Sequence, residues 1–183
     1  MIQTIQCGID LASYFENGGR LAASGGHQVG RKFPLLLAAV ALKDPTLLRF
    51  ASESDRFIED LTTFIVPQSH VGLVVEGGPE AMYVQNDVGI AEWGINHAWA
   101  PAKDDRRWRN GILYRFAQWP AMMGQVFAAE LMGLKDTWGH PPIFAYTERF
   151  LAAEPLGDTF EGQMWDRYKV GRPSTPQGLK IKR

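Results

Sequence analysis

The stretch GGHQVGRKFP, Gly25–Pro34, concentrates residues able to do chemistry. Three glycines, His27 and the adjacent cations Arg31 and Lys32 lie between two apolar segments. Glycine lets backbone approach a ligand closely. An imidazole exchanges protons near neutral pH. Arg31 offers a planar fork for a carboxylate or vicinal hydroxyls, and Lys32 a point charge. The trio suits an anionic or polyhydroxylated ligand. The plainer reading has Arg31 and Lys32 capping helix carbonyls or facing water, with His27 satisfying local backbone. A phosphate-binding P-loop does not fit. Gly25 and Gly30 have its spacing, but Arg31 replaces its lysine, Lys32 replaces its Ser or Thr, and the preceding segment reads as helix rather than strand.

Other reactive groups are scattered. His27, His70, His97 and His140 are far apart and form no H-x-x-x-H or H-E-x-x-H pattern, so neither a metal nor another cofactor is expected. G-x-S-x-G is absent, and no Ser/His/Asp constellation is identifiable. Asp104-Asp105 beside Arg106-Arg107 reads as solvated charge. Asp10 stands inside an apolar helix, where a partner such as Arg31 would make it architectural. Cys7 is the sole cysteine, excludes an intrachain disulfide, and reads as a small buried hydrophobe in IQCGIDL.

These groups must be positioned by a chain that reads as mainly α. Ile5, Ile9, Ala12 and Phe15 mark one helical face, ended by Gly18-Gly19. PLLLAAVALKD is apolar all round and predicts a helix covered on both sides. Asp44-Pro45 breaks it before the short helix TLLRFAS. LTTFIV, VGLVV and AMYVQ are β-type runs among glycines and prolines, so a small irregular β excursion is expected near 61–90. PAKDDRRWRN reads as an exposed loop. Phe116, Trp119, Pro120, Met123, Phe127, Leu131 and Leu134 then predict a core-facing helical stripe. His140-Pro141-Pro142 opens the helix IFAYTERFLAAE, and FEGQMWDRYK forms the last.

The chain of 183 residues, 45% hydrophobic and 21% charged, suits one domain over 1–170. Such a length buries roughly 70% of its unfolded surface. Residues 171–183 read as a flexible basic tail. A net charge of -1 argues against a nucleic-acid partner. The longest apolar run, Phe33 to Leu42, falls short of the about 20 residues a membrane span needs, so no membrane partner is expected. No charged and apolar leader stands at the N-terminus.

CGIDLASYFENGGRLAASGGHQVGRKFPLLLAAVAL resembles a segment in the C-terminal part of large bacterial (α/α)-toroid proteins of the alginate lyase and heparinase type. Those carry a G-I-D helix, a G-G-H-x-x-G-R-K-x-P loop and an apolar helix. LYRFAQWPAMMGQVFAAELMGLKDTWGHPPIFAYTERFL and MWDRY resemble later parts of the same proteins. The likeness spans most of residues 5–168, more weakly in the middle. It implies antiparallel helix pairs from a partial (α/α) toroid. A full ring needs far more chain, since each pair uses roughly 40 residues. The expectation is therefore a fragment or truncated member with a missing N-terminal portion or a tendency to self-associate. It would be secreted or periplasmic if part of a longer exported protein.

The resemblance also implies a polysaccharide or oligosaccharide partner and a lyase-like reaction. Elimination from a uronic acid requires the sugar carboxylate neutralised, the C5 proton removed and the leaving oxygen protonated. Arg31 or His27 would meet the first need, with Lys32 beside them. Tyr14, His97, Tyr114 and His140 are candidates for the proton transfers, His140 more simply as a helix-start residue. Trp93 and Trp99 flank His97 and would stack on a sugar, whereas Trp119, Trp138 and Trp165 read as core. The expected catalytic set is His27, Tyr14 and His97, and the expected substrate contacts are Arg31, Lys32, Trp93, Trp99 and Tyr114. A glycoside hydrolase would need two flanking carboxylates, and none stands out by spacing. A non-catalytic helical binding or assembly module is the remaining alternative.

Overall fold

A computed structural model describes residues 1–21, 27–108, 114–154 and 156–168, and it is mainly helical. The basic tail lies outside the described residues. Helix α1 (Ile2–Glu16) buries Gly8, Ala12 and Phe15, the face expected from the apolar spacing. Cys7 falls off that face and is exposed, contrary to expectation. Asp10 is exposed too and accepts a hydrogen bond from Gln6 at 2.9 Å, with no buried partner among the described residues.

Helix α2 (Lys32–Leu42) packs against α1 on one side and α3 (Pro45–Ser52) on the other. This double cover explains an apolar sequence with no polar face: Leu35, Leu36, Ala38 and Ala39 are all buried. Asp44 ends one helix and begins the next. Its carboxylate accepts from the Thr46 and Leu47 amides at 2.8 and 3.1 Å, with Pro45 in the first turn.

Gly8 sets how closely α1 and α2 approach. A Cβ there would stand 2.7 Å from the Ala38 Cβ and inside contact distance of the Pro34 carbonyl oxygen. Gly8→Ala is therefore expected to destabilise the chain by about 1–3 kcal/mol, the usual cost of overpacking. A denaturant midpoint lowered at constant m-value would show it.

The short helix α4 (Ile58–Leu61) leads into β1 (Thr63–Ile65), which pairs antiparallel with β2 (Ala91–Trp93), Thr63 opposite Trp93 and Ile65 opposite Ala91. The small β excursion exists, but its second strand is AEW. VGLVV and AMYVQ form turns instead, with 3₁₀ turns at 68–70, 79–81 and 85–87 and glycine or proline at 72 and 77–79. Strand β2 shows no alternation because α7 (Pro141–Ala153) packs over the ribbon and all three of its residues are buried.

Helix α5 (Tyr114–Leu131) carries the expected stripe, with Trp119, Met123 and Phe127 buried and Leu131 at the margin. The four-residue α6 (Lys135–Trp138) buries Trp138, and α8 (Phe160–Tyr168) packs on α5 with Trp165 stacked on Phe127. One contiguous apolar cluster runs from Ala12 in α1 to Phe150 in α7. No helix among the described residues is long and apolar enough to cross a membrane.

Candidate functional site

The glycine-rich loop ends at the start of α2, where free amides and the helix dipole favour an anion. The protein fills this position itself. Glu59 Oε1 accepts hydrogen bonds from the amides of Gly30, Arg31 and Lys32 at 2.9, 3.0 and 3.3 Å. Burial raises the Glu59 carboxyl above its usual range, and these backbone donors work against that shift. Lys32 is fully buried, with its ammonium paired to Asp60 and lying near the Phe57 and Trp138 rings. Asp60 also accepts from the Trp138 indole at 2.8 Å. Burial outweighs the attraction in this pair. It lowers the Lys32 amine and raises Asp60 to about 6, although each partner pulls the other back. Lys32 is thus an internal strut rather than an open substrate contact.

The other residues singled out from the sequence divide between two regions. Tyr14 is exposed, and its hydroxyl donates to the Arg20 carbonyl at 3.0 Å beside Gly19. His27 and Arg31 are exposed on the loop. His97 lies elsewhere, on the turn after β2, and makes no contact with those three among the described interactions. Trp99 shares the His97 turn and is 50% exposed, so its face is open to a ring. Trp93 is buried in β2 at 6% exposure and cannot stack on a sugar, which corrects that expectation. Trp119 and Trp138 are fully buried, as expected. Residues 22–26 of the loop and the Tyr114 side chain lie outside the description.

His97 is where acid–base geometry appears. Its Nδ1 lies 2.7 Å from Asp104 Oδ2, and its ring stacks on Phe64 with centroids 3.5 Å apart and planes at 5°. Asp104 is 2% exposed. It is therefore not solvated charge; its neighbour Asp105 is half-buried and bonds Arg107 at 2.6 Å, so it is not freely solvated either. A Cβ at Gly94 would stand 3.0 Å from the Asp104 carboxyl carbon, so the absent side chain is what lets the acid reach under the turn. A carboxylate on one imidazole nitrogen fixes tautomer and ring orientation, the arrangement found where histidine moves protons.

His97 also forms one wall of an open cleft of about 490 Å³, with Asp55, Asp60, Thr63, Phe64 and His140 among its other lining residues. The lining contains no lysine or arginine. His140 Nε2 lies 2.9 Å from the Thr63 carbonyl and donates to it. Burial lowers the His140 imidazole to about 4; the Thr63 carbonyl resists this and the Lys32 charge adds to it. His140 is thus a helix-start residue that also faces the cleft in its neutral form. A group held below its unfolded value of about 6.5 contributes full stability above that pH. The contribution is lost as pH falls toward 4. Wild type is accordingly expected to lose about 2 kcal/mol more than His140→Gln between pH 6.5 and 4, read from parallel denaturant titrations.

His70 was not singled out from sequence. The β-ribbon excursion brings its ring to 5.3 Å from that of His97, and Tyr83 closes the group against Phe64. Burial and the neighbouring His97 lower the His70 imidazole, with Asp104 acting the other way. The expectation that the four histidines stay apart fails for this pair. No short-range signal marks them, because the intervening turns decide their meeting.

No protein family matches the chain, and neither a curated protein nor a solved structure is similar to it.

Proposed function

We propose that this chain is a carbohydrate-active module, polysaccharide lyase-like, whose helix pairs belong to a partial (α/α) toroid and which takes an acidic polysaccharide at the cleft bearing His97. Because the lining of that cleft has carboxylates and no lysine or arginine, the sugar carboxylate is met from outside it, with the exposed Arg31 as the candidate. The observation that carries the reading is the carboxylate-oriented His97 on the wall of an open cleft. In elimination, a base takes the C5 proton of a uronate residue, the C4–O bond breaks, a C4–C5 double bond forms, and the departing oxygen gains a proton. His97, held by Asp104, is the group for proton transfer, and the exposed Trp99 on the same turn supplies a face for a sugar ring. Tyr14, His27 and Arg31 are left as an outer contact surface around the glycine-rich loop. The hydrolase alternative is weaker because Asp60 is committed to Lys32 and Trp138, which leaves Asp55 as the free carboxylate of the cleft lining.

The test is incubation with a panel of uronate polysaccharides, following ultraviolet absorbance of the unsaturated product. Absorbance growth with one of them is the expected result. Binding to a polysaccharide without product would assign the chain to the non-catalytic alternative. Neither binding nor product would remove the carbohydrate reading altogether. The exposed Leu131, Met132, Phe160 and Tyr168 on and beside α5 and α8 support contact with a second copy or with the rest of a longer protein.

A further inference from the structure

Three buried polar atoms without a protein hydrogen-bond partner lie around the His97–Asp104 pair. They are Asp104 Oδ1, His70 Nδ1 and the Tyr83 hydroxyl. Buried polar atoms are almost always satisfied, and several unsatisfied ones around one spot indicate a missing partner. His70, His97 and Asp104 each offer a donor atom, and these atoms lie within 4.8 Å of one another. They form the one such group of His, Cys, Asp and Glu among the described residues. We infer that His70, His97 and Asp104 bind a divalent transition-metal ion of the zinc class.

The donor chemistry selects the ion. Two imidazoles and one carboxylate suit Zn²⁺, Co²⁺ or Ni²⁺, whereas Ca²⁺ and Mg²⁺ prefer oxygen cages. Three protein ligands leave a fourth tetrahedral position free, the pattern of open rather than structural zinc sites. Tetrahedral donors about 2.0–2.1 Å from zinc stand roughly 3.3 Å apart. Closing from the present spacing requires a small turn of the His70 ring, which is only partly buried at the end of a 3₁₀ turn. The carboxylate already lies beside one imidazole, and outer contacts hold the rest: Phe64 stacks on His97, and Gly94 leaves room for Asp104.

This inference stands on the three side chains and does not need the carbohydrate reading. Where both hold, they compete for one imidazole. A neutral ring that gives one nitrogen to a metal keeps its proton on the other and has no lone pair left to accept one. Bound ion then silences His97 as a base, and elimination is inhibited by Zn²⁺ and restored by a chelator.

The test is calorimetric titration of the untagged chain with Zn²⁺ near neutral pH. One ion bound per chain is expected, together with visible absorption bands on Co²⁺ addition that need no variant. His70→Ala is expected to weaken Zn²⁺ binding about a hundredfold, at least what losing even an outer partner can cost. Cys7→Ser is expected to change nothing, since the exposed thiol lies on α1. Wild type that binds no Zn²⁺ and shows no Co²⁺ bands overturns the inference, and so does equal affinity in wild type and a folded His70→Ala. Neither result touches the polysaccharide assay, which is run without added metal.

Discussion

Arg115→Met is expected to lower the stability of the chain by about 3–5 kcal/mol, the cost of leaving a buried charge without its partner. Arg115 is 2% exposed at the start of α5. Its Nη1 donates to Glu92 Oε1 at 2.6 Å and to the Tyr146 hydroxyl at 2.5 Å. Glu92 lies on the buried strand β2 at 1% exposure and also accepts from Arg149 at 2.8 Å. These four residues tie α5, the ribbon and α7 together. Methionine fills the space but leaves the Glu92 carboxylate with the partly exposed Arg149 and the Trp93 amide alone. Adding Glu92→Gln removes the stranded charge, so the double variant is expected to recover part of the loss. Denaturant midpoints for the four members of the cycle give the coupling directly. A single-variant loss under about 1 kcal/mol, the range of exposed ion pairs, would mean that the network is not the strut described.

The second large effect concerns catalysis. On the proposed lyase reading, His97→Gln is expected to reduce uronate elimination by about 10²–10⁴-fold, the usual contribution of one positioned proton-transfer group. The loss should then fall on kcat rather than KM, because in that reaction the imidazole would act on the proton in flight while the remaining cleft would hold the sugar. Asp104→Asn should lower kcat as well, since the amide no longer fixes the imidazole tautomer. Its fold is checked separately because Asp104 is buried. A folded His97→Gln with unchanged kcat would place the proton transfer elsewhere and leave the His97–Asp104 pair as architecture.

The helical outline was legible because periodic burial is a local property. Phe15, Trp119, Met123 and Phe127 sit on the faces their spacing indicates. What was misread depended on partners distant in sequence. Lys32 looked like a ligand contact because nothing near it in the chain is acidic; Asp60 neutralises it from another element. Asp104 looked solvated because it stands in a run of charges, yet His97 and Gly94 draw it inside, and Asp105 is half-buried against Arg107. His70 meets His97 only because β1 and β2 pair and fold the intervening turns back on themselves. Cys7 and Asp10 show the reverse error, since an apolar neighbourhood in sequence did not put them on the packed face of α1. The glycine-rich loop stood out for its glycines and cations, but the helix start it leads into, fit for an anion, is used internally by Glu59.

Glu59 and Asp60 are consecutive, and each grips the same turn of α2, one by its amides and the other by its ammonium. Two adjacent side chains thereby latch the first helical layer to the segment that runs directly into the ribbon. Strain applied at either end is passed to the other through this clasp. The hollow and the loop, though far apart along the chain, should therefore loosen together when the protein opens.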